Sequence, residues 1–323
     1  MKPFRTFEAQ LNILKNDYNL KILDEEALLV HLETISYNEL IKTYKDTLLF
    51  NDNKFIEGVT AEGIFQLYHY DKSFQNILMK FSTYVENILK TKLSYVISKK
   101  FGIKTDITLN YFSTCKNEKM LKDIDEVLRT SKSEPINHYR ETHTEIPPWI
   151  LYKNLTFSTS ITMYKELLEN EKEEVVFSYL KKFYREKNIL EKGKEDIKEE
   201  IEIMLSIVRY FRNTIAHNGH FCKYKSKYKK LKNYKIEILF GKNIINKRDL
   251  KNKLGENDTY SFLLSLYFLL SNNELREIFL FEILTFLSGG EASICEVYIS
   301  ILKLPEDIIE RLSKLQEETI SKR

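Results

Sequence analysis

The sequence predicts an all-α fold, on three observations. Turn-forming residues are scarce, with 9 glycines and 5 prolines in 323 residues, against average usage of roughly 7% and 5%. A sandwich or barrel needs a turn signal every few residues, so an all-β fold is nearly excluded. Apolar residues recur at three- and four-residue spacing along most of the chain, which is the period of an amphipathic helix. The longest such run starts at Thr60, carries Ile64, Leu67, Asp71, Phe74, Leu78, Phe81, Val85, Ile88 and Leu89, and continues towards Ile97. It reads as one long helix, stopped by Gly102.

The remaining elements follow in chain order. Asp24, Glu25 and Glu26 open a helix carrying Leu28, Leu29 and Leu32, and a short helix lies around 40–49. After the long helix, the polar stretch 103–118 reads as a loop. Pro147-Pro148 breaks the chain, because the residue before a proline avoids helical angles. Helices are predicted over about 149–168 and 173–187. Gly193 is expected to separate these from a strong helix over 195–217, with Ile197, Ile201, Met204, Leu205, Val208 and Phe211 on one face and Asn218-Gly219 as its stop. The Lys/Tyr segment 222–235 reads as a loop or frayed helix, and 235–240 (KIEILF) as a short strand. Three apolar helices follow near 259–271, 274–288 and 291–302, and Pro305 opens a charged last helix. Three parts result: an N-terminal helical segment (1–58), a helical core (59–235) and a C-terminal helical extension (236–323) that can pack on the same core.

Several function classes lose their signatures. Neither G-x-G-x-x-G nor G-x-x-x-x-G-K-[ST] occurs, which removes the usual marks of dinucleotide folds and ATPases. Cys115, Cys222 and Cys295 are far apart and form no C-x-x-C, so neither a disulfide framework nor a zinc ribbon is indicated, and a reducing, cytoplasmic setting is expected. The opening MKPFRTFEAQ has no apolar signal core. The greasiest stretch, 260–270, is too short to span a bilayer and reads as a buried helix. The net charge of +3 hides an asymmetry: residues 222–253 hold twelve Lys/Arg and two acids, a local +10, so the rest sums to −7. A basic island in an acidic chain points to a polyanionic partner.

Of six histidines, His31, His69, His138 and His143 stand without a patterned partner and read as surface or core residues. His217 closes the stretch Arg209-Tyr210-Phe211-Arg212-Asn213-Thr214-Ile215-Ala216-His217. On an ideal helix, residues five apart point about 140° from each other. Arg212 and His217 therefore converge only if the helix loosens at its end or a second subunit completes the site. An arginine is a permanently charged fork for phosphate oxygens. A histidine takes or gives a proton near neutral pH, with a reference pKa of roughly 6.5. The competing reading is that both merely complement the negative end of the helix dipole.

Arg212-Asn213-Thr214-Ile215-Ala216-His217 resembles the R-N-x-x-x-H motif of HEPN ribonucleases, and the chain more narrowly resembles bacterial abortive-infection proteins of the AbiD/AbiF type. Lys2-Pro3 with Gln10 and Leu14 is similar to the family's opening. Leu32-Glu33-Thr34-Ile35-Ser36-Tyr37, with Leu40 and Tyr44, is similar to its L-x-x-I-G-Y-x-x-L-x-x-Y stretch. Pro148-Trp149 followed by Leu155-Thr156-Phe157-Ser158 is similar to its P-x-W…L-S-F-G segment. The resemblance spans most of residues 2–225. Ser36 and Ser158 replace usual glycines, Lys153 stands where an acid is common, and His220 stands where Arg is frequent.

The resemblance implies a HEPN-like helical bundle and a metal-independent endoribonuclease toxin of phage defence, with no cofactor. Such enzymes build the cleft from two R-x-x-x-x-H helices. This chain has one copy, so a homodimer is expected. A ribose 2′-hydroxyl attacks the adjacent phosphorus, leaving a 2′,3′-cyclic phosphate and a 5′-hydroxyl. His217 is the candidate general acid or base. Arg212 holds the non-bridging oxygens, and Asn213 orients the histidine or donates to phosphate. Glu86 on the long helix is a candidate supporting residue, paired with Arg212 in this reading, against the plain alternative of a solvated glutamate. A small structured RNA that restrains the toxin is a further expected partner.

Lys223, Tyr224, Lys225, Lys227, Tyr228, Lys229 and Lys230 directly follow the motif. Lysines neutralise phosphates and tyrosines offer stacking faces, so these are candidate RNA contacts, although a charge run is often only a solvated surface. His217, His220 and Cys222 are close enough in sequence to share a zinc ion, but a structural site needs about four ligands, so no metal is expected. The main alternative function is a non-catalytic RNA-binding protein using the same Arg/His and Lys/Tyr surface. A third is a helical interaction protein.

Overall fold

A computed structural model describes residues 3–50, 53–180, 187–227 and 230–321. The fold is all-α, with seventeen α-helices among the described residues and two isolated β-bridges, Lys21 with Thr60 and Leu49 with Phe55. The chain forms two compact units, each gathered from three stretches: 1–79, 211–225 and 281–313 in the first, 80–210, 226–280 and 314–323 in the second.

Local chemistry accounts for several helix ends. Asp24 caps helix Glu25–Ile35 by accepting from the Ala27 N–H, and Thr156 caps helix Phe157–Glu166 by accepting from Thr159. The long helix runs Ala61–Phe101. Gly102 follows at φ 95°, the left-handed turn that ends many helices. Its stripe is buried as its period requires: Ile64, Leu67, Phe74, Leu78, Phe81, Val85 and Leu89 all lie in cores.

In the first unit, the aromatic core centres on Phe74. Its ring centre lies 6.3 Å from Phe221, 5.3 Å from Phe286 and 5.6 Å from Tyr298. In the second unit, every residue of helix Thr259–Leu269 is buried, which confirms the core-helix reading of that stretch. Buried Arg276 donates to the carbonyls of Tyr267 and Phe268, satisfying groups that a helix end leaves open. No single helix among the described residues is long and apolar enough to cross a membrane.

Four local expectations need correction. The stretch 235–240 is helical, within Asn233–Phe240: buried Ile236, Leu239 and Phe240 stand at i, i+3 and i+4, a helical rather than a strand period. Gly193 lies inside helix Lys187–Ala216. A glycine costs a helix about 1 kcal/mol and does not by itself break it. The single helix expected over 149–168 is two, Pro148–Asn154 and Phe157–Glu166, divided where Leu155 turns extended and Thr156 caps the second. The stretch 103–118 contains a short helix, Ile107–Tyr111. The end of the helix expected over 173–187 lies outside the described residues; the observed helix is Glu169–Leu180.

Candidate functional site

The motif sits at the C-terminal end of helix Lys187–Ala216. Phe211 and Ile215 are buried on its core side. Arg212 and Asn213 are half-buried, and His217 is exposed. The helix closes on paired reverse bonds: the Gly219 N–H donates to the Thr214 carbonyl at 2.8 Å and the Asn218 N–H to the Ile215 carbonyl at 3.2 Å. This is the Schellman closure, with Asn218 in the left-handed position at φ 51° and His217 as the last residue before it. Gly219 is required by close approach, since a Cβ there would lie 2.8 Å from Thr214 Cγ2. Lys72 of the long helix donates to Asn218 Oδ1 at 3.0 Å. The turn presenting His217 is thus held from both sides.

Arg212 and Asn213 come together: Arg212 Nη1 donates to Asn213 Oδ1 at 3.2 Å. His217 keeps its helical backbone bond, N–H to the Asn213 carbonyl at 3.0 Å. The helix therefore does not loosen before His217, and the wide angle between residues five apart is retained within one chain. Glu86 belongs to the second unit, where it accepts from Lys90 at 2.7 Å in a half-buried i,i+4 pair.

Within the first unit, the turn after the motif is tied to the N-terminal segment. His220 Nδ1 lies 2.7 Å from Thr43 Oγ1, and Nε2 lies 3.3 Å from Asn38 Nδ2. The amide nitrogen only donates, so Nε2 accepts and the ring is neutral with its proton on Nδ1. Burial first, then the neighbouring Lys223 and Lys42, hold the His220 pKa below its ordinary value. The Cys222 thiol donates to Asp71, and burial followed by that carboxyl group pushes its pKa up. Asp71 also accepts from Tyr44 Oη at 2.8 Å and Tyr298 Oη at 2.7 Å. Asp71 was visible in the sequence as a carboxyl residue on an apolar helical stripe, but its three partners come from distant segments. His220 and Cys222 are thereby committed away from a shared zinc ion. Among the described residues no group of three or more His, Cys, Asp or Glu is placed to hold a metal.

Five of the twelve basic residues of the island meet acids within the protein. Lys223 pairs with Asp46 at 2.8 Å. In the second unit, Lys230 pairs with Glu256 at 3.9 Å, Lys232 with Glu199 at 2.8 Å, Lys235 with Glu200 at 3.4 Å and Lys242 with Glu237 at 3.9 Å. Tyr224 packs edge-on against Phe211, with ring centres 4.8 Å apart, so it is not a free stacking platform. Lys225 and Lys227 are exposed. Tyr228 and Lys229 lie outside the described residues.

Fold and site together define a helical protein in which one helix ends on a hydrogen-bonded turn that displays a histidine five residues after a half-buried arginine. The chain matches the family of Abi-like proteins over residues 30–223 and belongs to that family. The matched span contains Asp71, the whole motif, His220 and Cys222. Membership points to abortive infection, a defence against phage. No curated protein and no solved structure matches the chain.

Proposed function

We propose that this protein is a metal-independent endoribonuclease toxin of the HEPN type, close to the AbiD/AbiF proteins and acting in phage defence. The observation that carries the reading is the end of the motif helix. His217 is exposed on a turn closed by the Thr214, Ile215 and Lys72 contacts, while Arg212 is half-buried and bonded to Asn213. A general acid or base must reach a substrate proton, and an oxyanion clamp must be held still beforehand. His217 moves the proton between the 2′-hydroxyl or the leaving 5′-oxygen and solvent. Arg212 neutralises charge building on the non-bridging oxygens, with Asn213 fixing its position.

The retained helical angle between Arg212 and His217 favours a site completed by a second copy of the chain, with one protomer's arginine facing its partner's histidine. The RNA target and a restraining structured RNA are the partners of this reading. The exposed Lys225 and Lys227, which follow the motif in sequence, supply phosphate contacts.

The test is cleavage of total RNA by wild type and His217→Ala, with mapping of the 3′ ends. The expected result is 2′,3′-cyclic phosphate ends from wild type, a loss of roughly 10²–10⁴-fold in the variant, and no cut in DNA. Wild type that retains RNA but never cuts it overturns the enzyme reading and leaves a binding protein.

A further inference from the structure

A second cationic group lies one turn upstream of the motif. Arg209 is half-buried on the same helix, within the second unit. Its Nη1 donates to Ser158 Oγ at 3.0 Å, and its guanidinium carbon sits 4.3 Å from the centre of the Tyr210 ring. Its Nε is buried and has no acceptor among the described residues. No carboxylate pairs with Arg209 among those residues. Glu202, two turns back on the helix, is taken by Lys165 at 3.0 Å, and Asp123 accepts from the Thr159 hydroxyl at 3.1 Å. A half-buried guanidinium is costly unless an anion meets it, and one neutral hydroxyl uses a single donor of five.

The Tyr210 ring packs against the guanidinium, and a guanidinium fork can grip two oxygens of one phosphate. Ser158 is exposed. Its hydroxyl accepts from Arg209 and still has a proton to donate. We propose that Arg209 and Ser158 form a phosphate-binding subsite whose occupant is a backbone phosphate of single-stranded RNA. In naming RNA, the proposal rests on the function given above; the anion chemistry does not.

The experiment measures binding of a fluorescein-labelled single-stranded RNA of mixed sequence by anisotropy across a salt series. The full-length chain carries His217→Ala so that the probe stays intact. Arg209→Gln should weaken binding about tenfold at low salt and reduce the slope of log affinity against log salt by about 0.7, the value for one phosphate on a single strand. Ser158→Asp, at an exposed position, supplies an internal carboxylate to Arg209. It should reduce the slope likewise while raising the melting temperature, and it carries the test if Arg209→Gln does not fold. Unchanged slope and affinity in the folded variants overturn the subsite. Inorganic phosphate that protects wild type from heat but not Arg209→Gln, with RNA binding untouched, overturns the RNA assignment. An Arg209-dependent slope in a protein that cuts no RNA defeats the nuclease reading alone. Cleavage by the His217-intact protein alongside unchanged slopes defeats the subsite alone.

Discussion

Ser36 has φ 77° and ψ 147°, a region that residues with a Cβ rarely enter. It follows helix Glu25–Ile35 and leads directly into the segment around Leu40 and Tyr44, so the strain lies where the chain must reverse. It is one of the two positions where the resemblance described above leads one to expect a glycine. Ser36→Gly is expected to stabilise the protein by about 1 kcal/mol, because glycine occupies this conformation without steric cost. A denaturant melt of the two proteins decides it, and an unchanged midpoint would mean the strain is absent in solution. Ser158, the other such position, instead meets Arg209 through its hydroxyl.

At the scale of elements, His220 ties the turn after the motif to Asn38 and Thr43 of the N-terminal segment. Its pKa is depressed in the folded state from an ordinary 6.5. As pH falls below that ordinary value, the unfolded chain takes up a proton that the folded ring refuses. The stabilisation is therefore complete above about 6.5 and is lost as pH falls through the folded value. The melting temperature of wild type should drop more steeply between about pH 7.5 and 5.5 than that of His220→Gln. Parallel curves for the two proteins would show that His220 carries no such linkage. Helix-level features were legible where they are local: the Asp24 cap, the Asn218-Gly219 stop and the long stripe were all readable from neighbours in sequence. The 235–240 stretch was misread because six residues with apolar groups at mixed spacing fit both periods, and burial of Ile236, Leu239 and Phe240 decides between them.

At the scale of the whole molecule, the site proposed here needs a second copy. Separately purified Arg212→Ala and His217→Ala proteins, each inactive, should regain cleavage when mixed under conditions that allow exchange. A mixed pair then restores one arginine facing one histidine. Mixtures as silent as either parent would place both groups of a working site in one chain.

The sequence by itself determined the helical class, most helix positions and the segment Arg212 to His217 with its stop, because period, capping and turn chemistry act over a few residues. Which charges remain available was decided only by tertiary structure. The lysines after the motif looked like one basic surface, yet Lys223, Lys230, Lys232, Lys235 and Lys242 meet acids, four of them outside the island. Asp71 collects Tyr44, Tyr298 and Cys222 from three separate stretches, and Arg209 goes without a carboxylate partner among the described residues. Pairing of this kind depends on which distant segments fold onto one another, and no local spacing carries that information.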